Sequence, residues 1–418
     1  MAAALAALVW ANAWPDSYDR VWSTIVSVDF GPLLIEEDLR HWINDLLMAV
    51  FFYVVALEVK REMVFGSLRD RRSAAVPTAA ALGTMVGAAL TYAAVNLIGE
   101  GDLRGWAIPI ATDIAFAVGV LGLLGRRAPS ELRAFMLTLA VVDDLGTIIV
   151  IGAFFSEGIL LGWLGAAAAA TVTVAVARRI GVRALVPYVV LAGLLWLAVF
   201  KSGLHATLAG VILGFLTPAA AFHSRQTTAA FLGDHLSEIS SSDREVSEGT
   251  LLETSRLAEE AVSPLARMEE SLHPWSAYAI LPLFALANAG VPVSLDGIAD
   301  ALSGPVGLGI ALGLVVGAPL GGLLFAWGIV RLGPGRMPEG LDWPAIGGVA
   351  PLKGIGFTIA IFISALAFDD VDLQEQAKLA ILIASAAAAI IGLAVLYGRA
   401  SVLGRRAQVR PKPDDLLR

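Results

Sequence analysis

Residues Leu137–Ile151 read LTLAVVDDLGTIIVI, and Asp143 and Asp144 are the only charges in that apolar run. A core helix of a soluble protein has no use for two adjacent acids. At the centre of a membrane span a charge costs roughly 2.5 to 3.5 kcal/mol on insertion scales, so the charges that persist there face a cavity or a partner. Burial and like charge both oppose two bare carboxylates side by side. Such a pair takes up and releases protons as one coupled unit. A small hard cation that prefers oxygen ligands can take the protons' place. Protons and cation then compete for the same oxygens, which together with alternating access is a complete antiport mechanism. Neighbours on a helix point about 100° apart, so the two acids are expected to serve different partners.

The rest of the chain agrees with a membrane setting. It has 418 residues, 57% hydrophobic and 16% charged, with mean hydropathy +0.75, whereas soluble domains average roughly 25% charged residues. Apolar stretches long enough to cross a bilayer recur near Met1–Asn12, Trp42–Val59, Ser73–Ile98, Trp106–Leu124, Ala134–Phe155, Leu160–Ala177, Ala184–Phe200, Leu204–Leu216, Trp275–Val291, Val306–Val330, Ala345–Ala367 and Ala377–Leu396. The expected fold class is therefore an all-α integral membrane protein of about twelve transmembrane helices. The first apolar run lacks the basic leading region of a signal peptide and is short for a full span. With both termini cytoplasmic, the outer loops keep only Arg20, Arg40, Arg104, Lys201 and Lys378, and nearly all other Lys and Arg fall inside. That asymmetry is the positive-inside pattern. Net charge −8 adds no argument for nucleic acid, which is not an expected partner. Without cysteine there is neither a disulfide framework nor a thiolate metal site.

Spans one to eight (1–217) and nine to twelve (275–398) flank a polar cytoplasmic linker, 218–274, and a basic tail, 399–418, closes the chain. The middle of the linker, Asp234–Arg267, reads equally as a surface helix or a disordered segment. The outer segment Pro15–His41, with VSVDFGPLLI, alternates like a short hairpin, a candidate surface for pairing in a homodimer. Glycine and proline cluster inside two apolar segments, around PIATDIAF (109–116) and PLKGIGFT (351–358). Non-helical backbone at membrane depth survives only where protein or a wet cavity satisfies its polar groups. Interrupted segments at corresponding places in two halves mark a transport site. The two lie in the fourth and eleventh spans, the middle members of spans 3–5 and 10–12, which run in opposite senses as an inverted repeat.

Other intramembrane charges are few: Asp45 and Glu58 in the second span, Asp113 in the fourth and Lys353 in the eleventh. Asp113 follows Thr112 at a helix break, where a carboxylate meets exposed N–H groups. Lys353 precedes Gly354 and Gly356, placed either to offset half-helix ends, to pair with Asp143 or Asp144, or simply to snorkel. Glu58, Lys60, Arg61 and Glu62 end the second span as an interfacial cluster or the mouth of an ion funnel. His205 and His273 read as packing or capping residues before they read as proton sensors.

Together HWINDLLMAVFFYVVALEVKRE (41–62), GWAIPIATDIAFAVGVLGLLG (105–125), LAVVDDLG (139–146), KSGLHATLAG (201–210), LHPW (272–275), ILPLFALANAG (280–290), GIGFT (354–358) and IFISALAF (361–368) resemble the NhaA family of sodium/proton antiporters, from about Leu5 to Leu396. Inverted repeats and two broken, crossing helices are known features of that family, so on this ground they are not an independent expectation. The resemblance implies a bacterial inner-membrane antiporter with no cofactor, in which Asp143 and Asp144 bind Na⁺ or Li⁺ in exchange for H⁺, two protons per sodium. It further implies that Thr112 and Asp113 form the crossing beside them. It assigns pH sensing to a cytoplasmic cluster matching Glu58, Arg61, Glu62 and Glu269, and sets Asp45 on another acid of the pattern. Three departures stand out. Ala318, in GAPLG, replaces the family's functional lysine, so Lys353 is expected to supply that charge. Glu270 lies where a histidine is familiar, after a linker longer than usual. The first span lacks its opening turns. The rival readings are an intramembrane aspartyl protease using Asp113 with Asp144, which lacks the glycine-flanked motif of those enzymes, and a passive cation channel, which needs no proton-coupled acids.

Overall fold

The computed structural model describes residues 2–29, 34–125, 129–156, 158–182, 184–221, 255, 261–333, 335–338 and 340–409. Among these the chain is helical apart from one hairpin. Seven helices are long and apolar enough to cross a membrane: Leu39–Phe65, Ala74–Ile98, Leu103–Gly122, Ser130–Phe154, Leu161–Arg179, Pro305–Arg331 and Val371–Gly398. A pair bent by 45°, Trp343–Gly354 and Phe357–Ala367, makes an eighth when taken as one span. The remaining four expected spans are short or mixed in composition. Ala2–Ala13 and Leu185–Lys201 are shorter apolar helices. Leu208–Leu216 has 9 residues, about 14 Å at the helical rise, roughly half the hydrocarbon thickness. The last begins among charges at Pro264–Trp275 and reaches Leu281–Asn288 through a π-helical turn at Ser276–Ile280. Most of the linker's middle, including 234–254, lies outside the described residues.

Large apolar side chains point outward, as at Leu90, Leu161, Val186 and Leu324, a surface suited to lipid rather than water. Inside, small residues bring the helices together. A Cβ on Gly87 would lie 2.3 Å from the Gly317 carbonyl, and one on Gly83 would lie 2.3 Å from that of Gly321. The helix Arg71–Ile98 therefore packs backbone to backbone on Pro305–Arg331, the small-residue contact that substitutes for hydrophobic drive in lipid. The second helix is loosened by a π-helical turn at Gly313–Gly317, directly before Ala318.

The outer segment is more than a hairpin. Pro15–Trp22 forms a helix because Pro15 at its first position and Asp16 in its first turn favour a start there. Strands Ile25–Asp29 and Leu34–Asp38 follow, antiparallel, with Val28 opposite Ile35. Tyr18 anchors the helix to the bundle, its hydroxyl 2.9 Å from each of the carbonyls of Leu286 and Ala287, to either of which it can donate.

Candidate functional site

Three chain segments converge on the acidic pair. Asp143 and Asp144 lie in the helix Ser130–Phe154, and both are buried. The last turn of Trp343–Gly354 brings Lys353 alongside, and its Nζ lies 2.6 Å from Asp143 Oδ2. The two side chains are 2% and 1% exposed, so this ion pair is sealed from water. The other oxygen of Asp143 accepts a hydrogen bond from Thr84 Oγ1 at 3.2 Å, from the helix Arg71–Ile98. Asp144 accepts no hydrogen bond among the described residues. The neighbouring carboxylates thus differ in company: one is held on both sides, the other is left open. Among the described residues no third acid or histidine joins them in a metal-ligand group.

Two interrupted helices meet beside the pair. A 3₁₀ segment, Leu103–Ile110, gives way to the helix Ile114–Gly122 across Ala111, Thr112 and Asp113. Its partner breaks at Ile355 and Gly356. The two breaks satisfy each other's backbone. Asp113 N donates to Ile355 O at 2.7 Å, and Thr112 Oγ1 donates to Lys353 O at 3.0 Å. The Asp113 carboxylate caps its own helix, accepting from Phe116 N at 3.1 Å, and accepts from Thr358 N at 3.2 Å and from Thr358 Oγ1 on the other segment. Both oxygens of Asp113 are therefore engaged. Unsatisfied backbone groups cost several kcal/mol each in lipid, so these reciprocal bonds are what permits either helix to stop there. Ala318 is buried and apolar, and the only side-chain ammonium bonded to the pair among the described residues is that of Lys353.

The remaining candidates divide into two places. At the end of Leu39–Phe65, Arg61 pairs with Glu269 at 2.6 Å, the arginine half exposed and the glutamate buried. The second oxygen of Glu269 finds no partner among the described residues. Burial pushes the Glu269 carboxyl above its ordinary value of 4.5, Arg61 pulls it back, and Glu58 pushes it further up. Glu270 is exposed, and the Glu62 carboxylate lies over Gly66. Asp45 sits in a π-helical turn, Ile43–Leu47, roughly 20 Å along the helix from Glu58. Its freed carbonyl accepts from Trp196 Nε1 at 3.0 Å. Thr84 and Thr358 escaped sequence reasoning. Thr358, two residues after Gly356 at a helix start, carried a usable signal, but Thr84 carried none.

The model of the family described as "Na+/H+ antiporter 1" matches residues 1–396. A relative from Rhodopirellula baltica, named Na(+)/H(+) antiporter NhaA, is 44% identical over 394 residues, 93% of this chain and 88% of the relative. One of the same name from Escherichia coli O139:H28 is 45% identical over 402 residues, covering 95% of this chain and 94% of its own. A third, from Janthinobacterium sp., is 43% identical over 401 residues, 94% of this chain and 88% of its own.

Proposed function

Since the chain belongs to the NhaA family of Na⁺/H⁺ antiporters, a multi-pass membrane protein family and not an enzyme family, we propose that it exchanges Na⁺ or Li⁺ for H⁺ across a bacterial inner membrane by alternating access. The observation that carries this reading is the sealed Lys353–Asp143 ion pair beside the open carboxylate of Asp144. A hard cation enters on Asp144 and draws on Asp143, and its positive charge, added to that of the ammonium, displaces the hold of Lys353. Protons arriving on the carboxylates expel the cation, and once Asp143 releases its proton on the other side its ion pair with Lys353 re-forms. Backbone carbonyls at the breaks and water complete an oxygen shell of the kind such a cation prefers.

In this reading Thr112 and Asp113 keep the crossing intact while the site changes sides, and Lys353 supplies the compensating charge that Ala318 does not. Twelve spans, with spans 3–5 and 10–12 as inverted repeats and both termini cytoplasmic, give the site its two routes of access. Segments 1–217 and 275–398 form the membrane body, 218–274 the cytoplasmic linker and 399–418 the basic tail. Glu58, Arg61, Glu62 and Glu269 form the cytoplasmic mouth and sense pH there, and Asp45 marks the outer approach. The strand pair Ile25–Asp29 and Leu34–Asp38 joins two copies as a homodimer.

The experiment is reconstitution in vesicles with a lumenal pH dye and a clamped membrane potential. Added Na⁺ or Li⁺ is expected to drive protons out of step with their own gradient, with a rate that responds to the potential. Cation flux without proton movement would leave a channel, and substrate cleavage would leave a protease.

A further inference from the structure

We propose that Thr84 is a positioning residue of the exchange site, its hydroxyl fixing the Asp143 carboxylate opposite Lys353 in the orientation that receives the cation. The proposal rests on the antiport reading above. Thr84 is buried, and its methyl group is wedged against Pro305–Arg331, where a Cβ on Gly322 would lie 2.7 Å from it. That wedge leaves the hydroxyl facing Ser130–Phe154. There the oxygen lies 2.7 Å from the Ala81 carbonyl and 3.2 Å from Asp143 Oδ1.

A hydroxyl carries one proton, so these two bonds are alternatives. Charge decides between them, because a bond to an ionised acceptor is roughly twice as strong as one between neutral groups. When Asp143 is a carboxylate, the hydroxyl turns to it and grips the oxygen opposite Lys353. That grip fixes the plane of the carboxylate, one oxygen held by Thr84 and the other by Lys353.

The charged groups beside Asp143 are Lys353, bonded to it, and Asp144, its neighbour in the chain. The helix that bears Thr84 carries charge only at Arg71 and Arg72, at one end, and Pro305–Arg331 only at Arg331, at its last residue. No other group on those two helices competes for this role.

The test compares Thr84→Val and Thr84→Ser in the full chain, reconstituted in vesicles, with apparent KM for Na⁺ measured across pH. Valine keeps the shape and loses the donor. Its KM is expected to rise roughly tenfold while the maximal rate changes far less, the equivalent of one modest charge-assisted hydrogen bond. Serine should follow the parent. An unchanged KM at every pH, or an equal loss of maximal rate in both variants at all pH values, would overturn the proposal, the latter as a packing effect. Parent vesicles that move no protons on Na⁺ addition would overturn the antiport reading and this one with it.

Discussion

Replacing Lys353 by alanine should strand a charge. With Lys353 and Asp143 2% and 1% exposed and 2.6 Å apart, the loss of one partner leaves the other uncompensated in a dry site. Breaking such a buried pair costs about 3 to 5 kcal/mol, whereas replacing both partners by neutral groups is often nearly neutral. The cost is avoidable in two ways here: Asp143 can take a proton, or a cation can take the place of the ammonium. Lys353→Ala in detergent should therefore unfold at lower temperature than the parent in Na⁺-free alkaline buffer. It should regain stability on acidification or on addition of Na⁺. A ligand at a hundred times its Kd contributes about 2.7 kcal/mol, enough to recover most of the deficit. The double variant Lys353→Ala/Asp143→Asn should unfold close to the parent without Na⁺. Thermal unfolding followed by tryptophan fluorescence, in a grid of pH and Na⁺, reads all of this. A single variant as stable as the parent in Na⁺-free alkaline buffer, or a deficit that neither acid nor Na⁺ relieves, would refute the buried-charge account.

Gly87→Val places a side chain where even a Cβ would lie 2.3 Å from the Gly317 carbonyl; folded, monodisperse protein should be lost on gel filtration, while a valine at Gly165, where a Cβ would meet nothing within 4 Å, should be tolerated. Glu269→Gln tests the cytoplasmic cluster. Because burial raises the Glu269 carboxyl above 4.5, its neutral form favours folding, and that contribution is present below 4.5 and lost as the pH climbs through the raised value. The variant, which cannot ionise, should gain stability relative to the parent over that climb, and a difference that stays flat with pH would contradict the raised value.

The acidic pair and the two breaks were legible in the sequence because each violates a strong local rule. Charges inside an apolar run, and Gly and Pro inside a span, have few structural excuses in lipid. Which acid meets Lys353 was not legible, since helical geometry says only that neighbours diverge; packing of the broken segment against Ser130–Phe154 selects Asp143. Thr84 was hidden because a threonine in the small-residue run GTMVG is ordinary, and only the approach of three helices gives it a partner. Span counting from hydropathy ran ahead of helix length at Leu208–Leu216, where an apolar run is folded into a helix too short to cross alone.

One measurement bears on the whole account: Na⁺-driven proton movement in vesicles holding Asp143→Asn/Asp144→Asn beside the parent chain. Amides keep the size and much of the hydrogen bonding but neither bind protons in this range nor present charge to a cation. Exchange should fall to the level of empty vesicles in the variant while the parent responds to both Na⁺ and Li⁺. A double variant that still swaps cations for protons at the parent's rate would place the chemistry elsewhere and contradict the account.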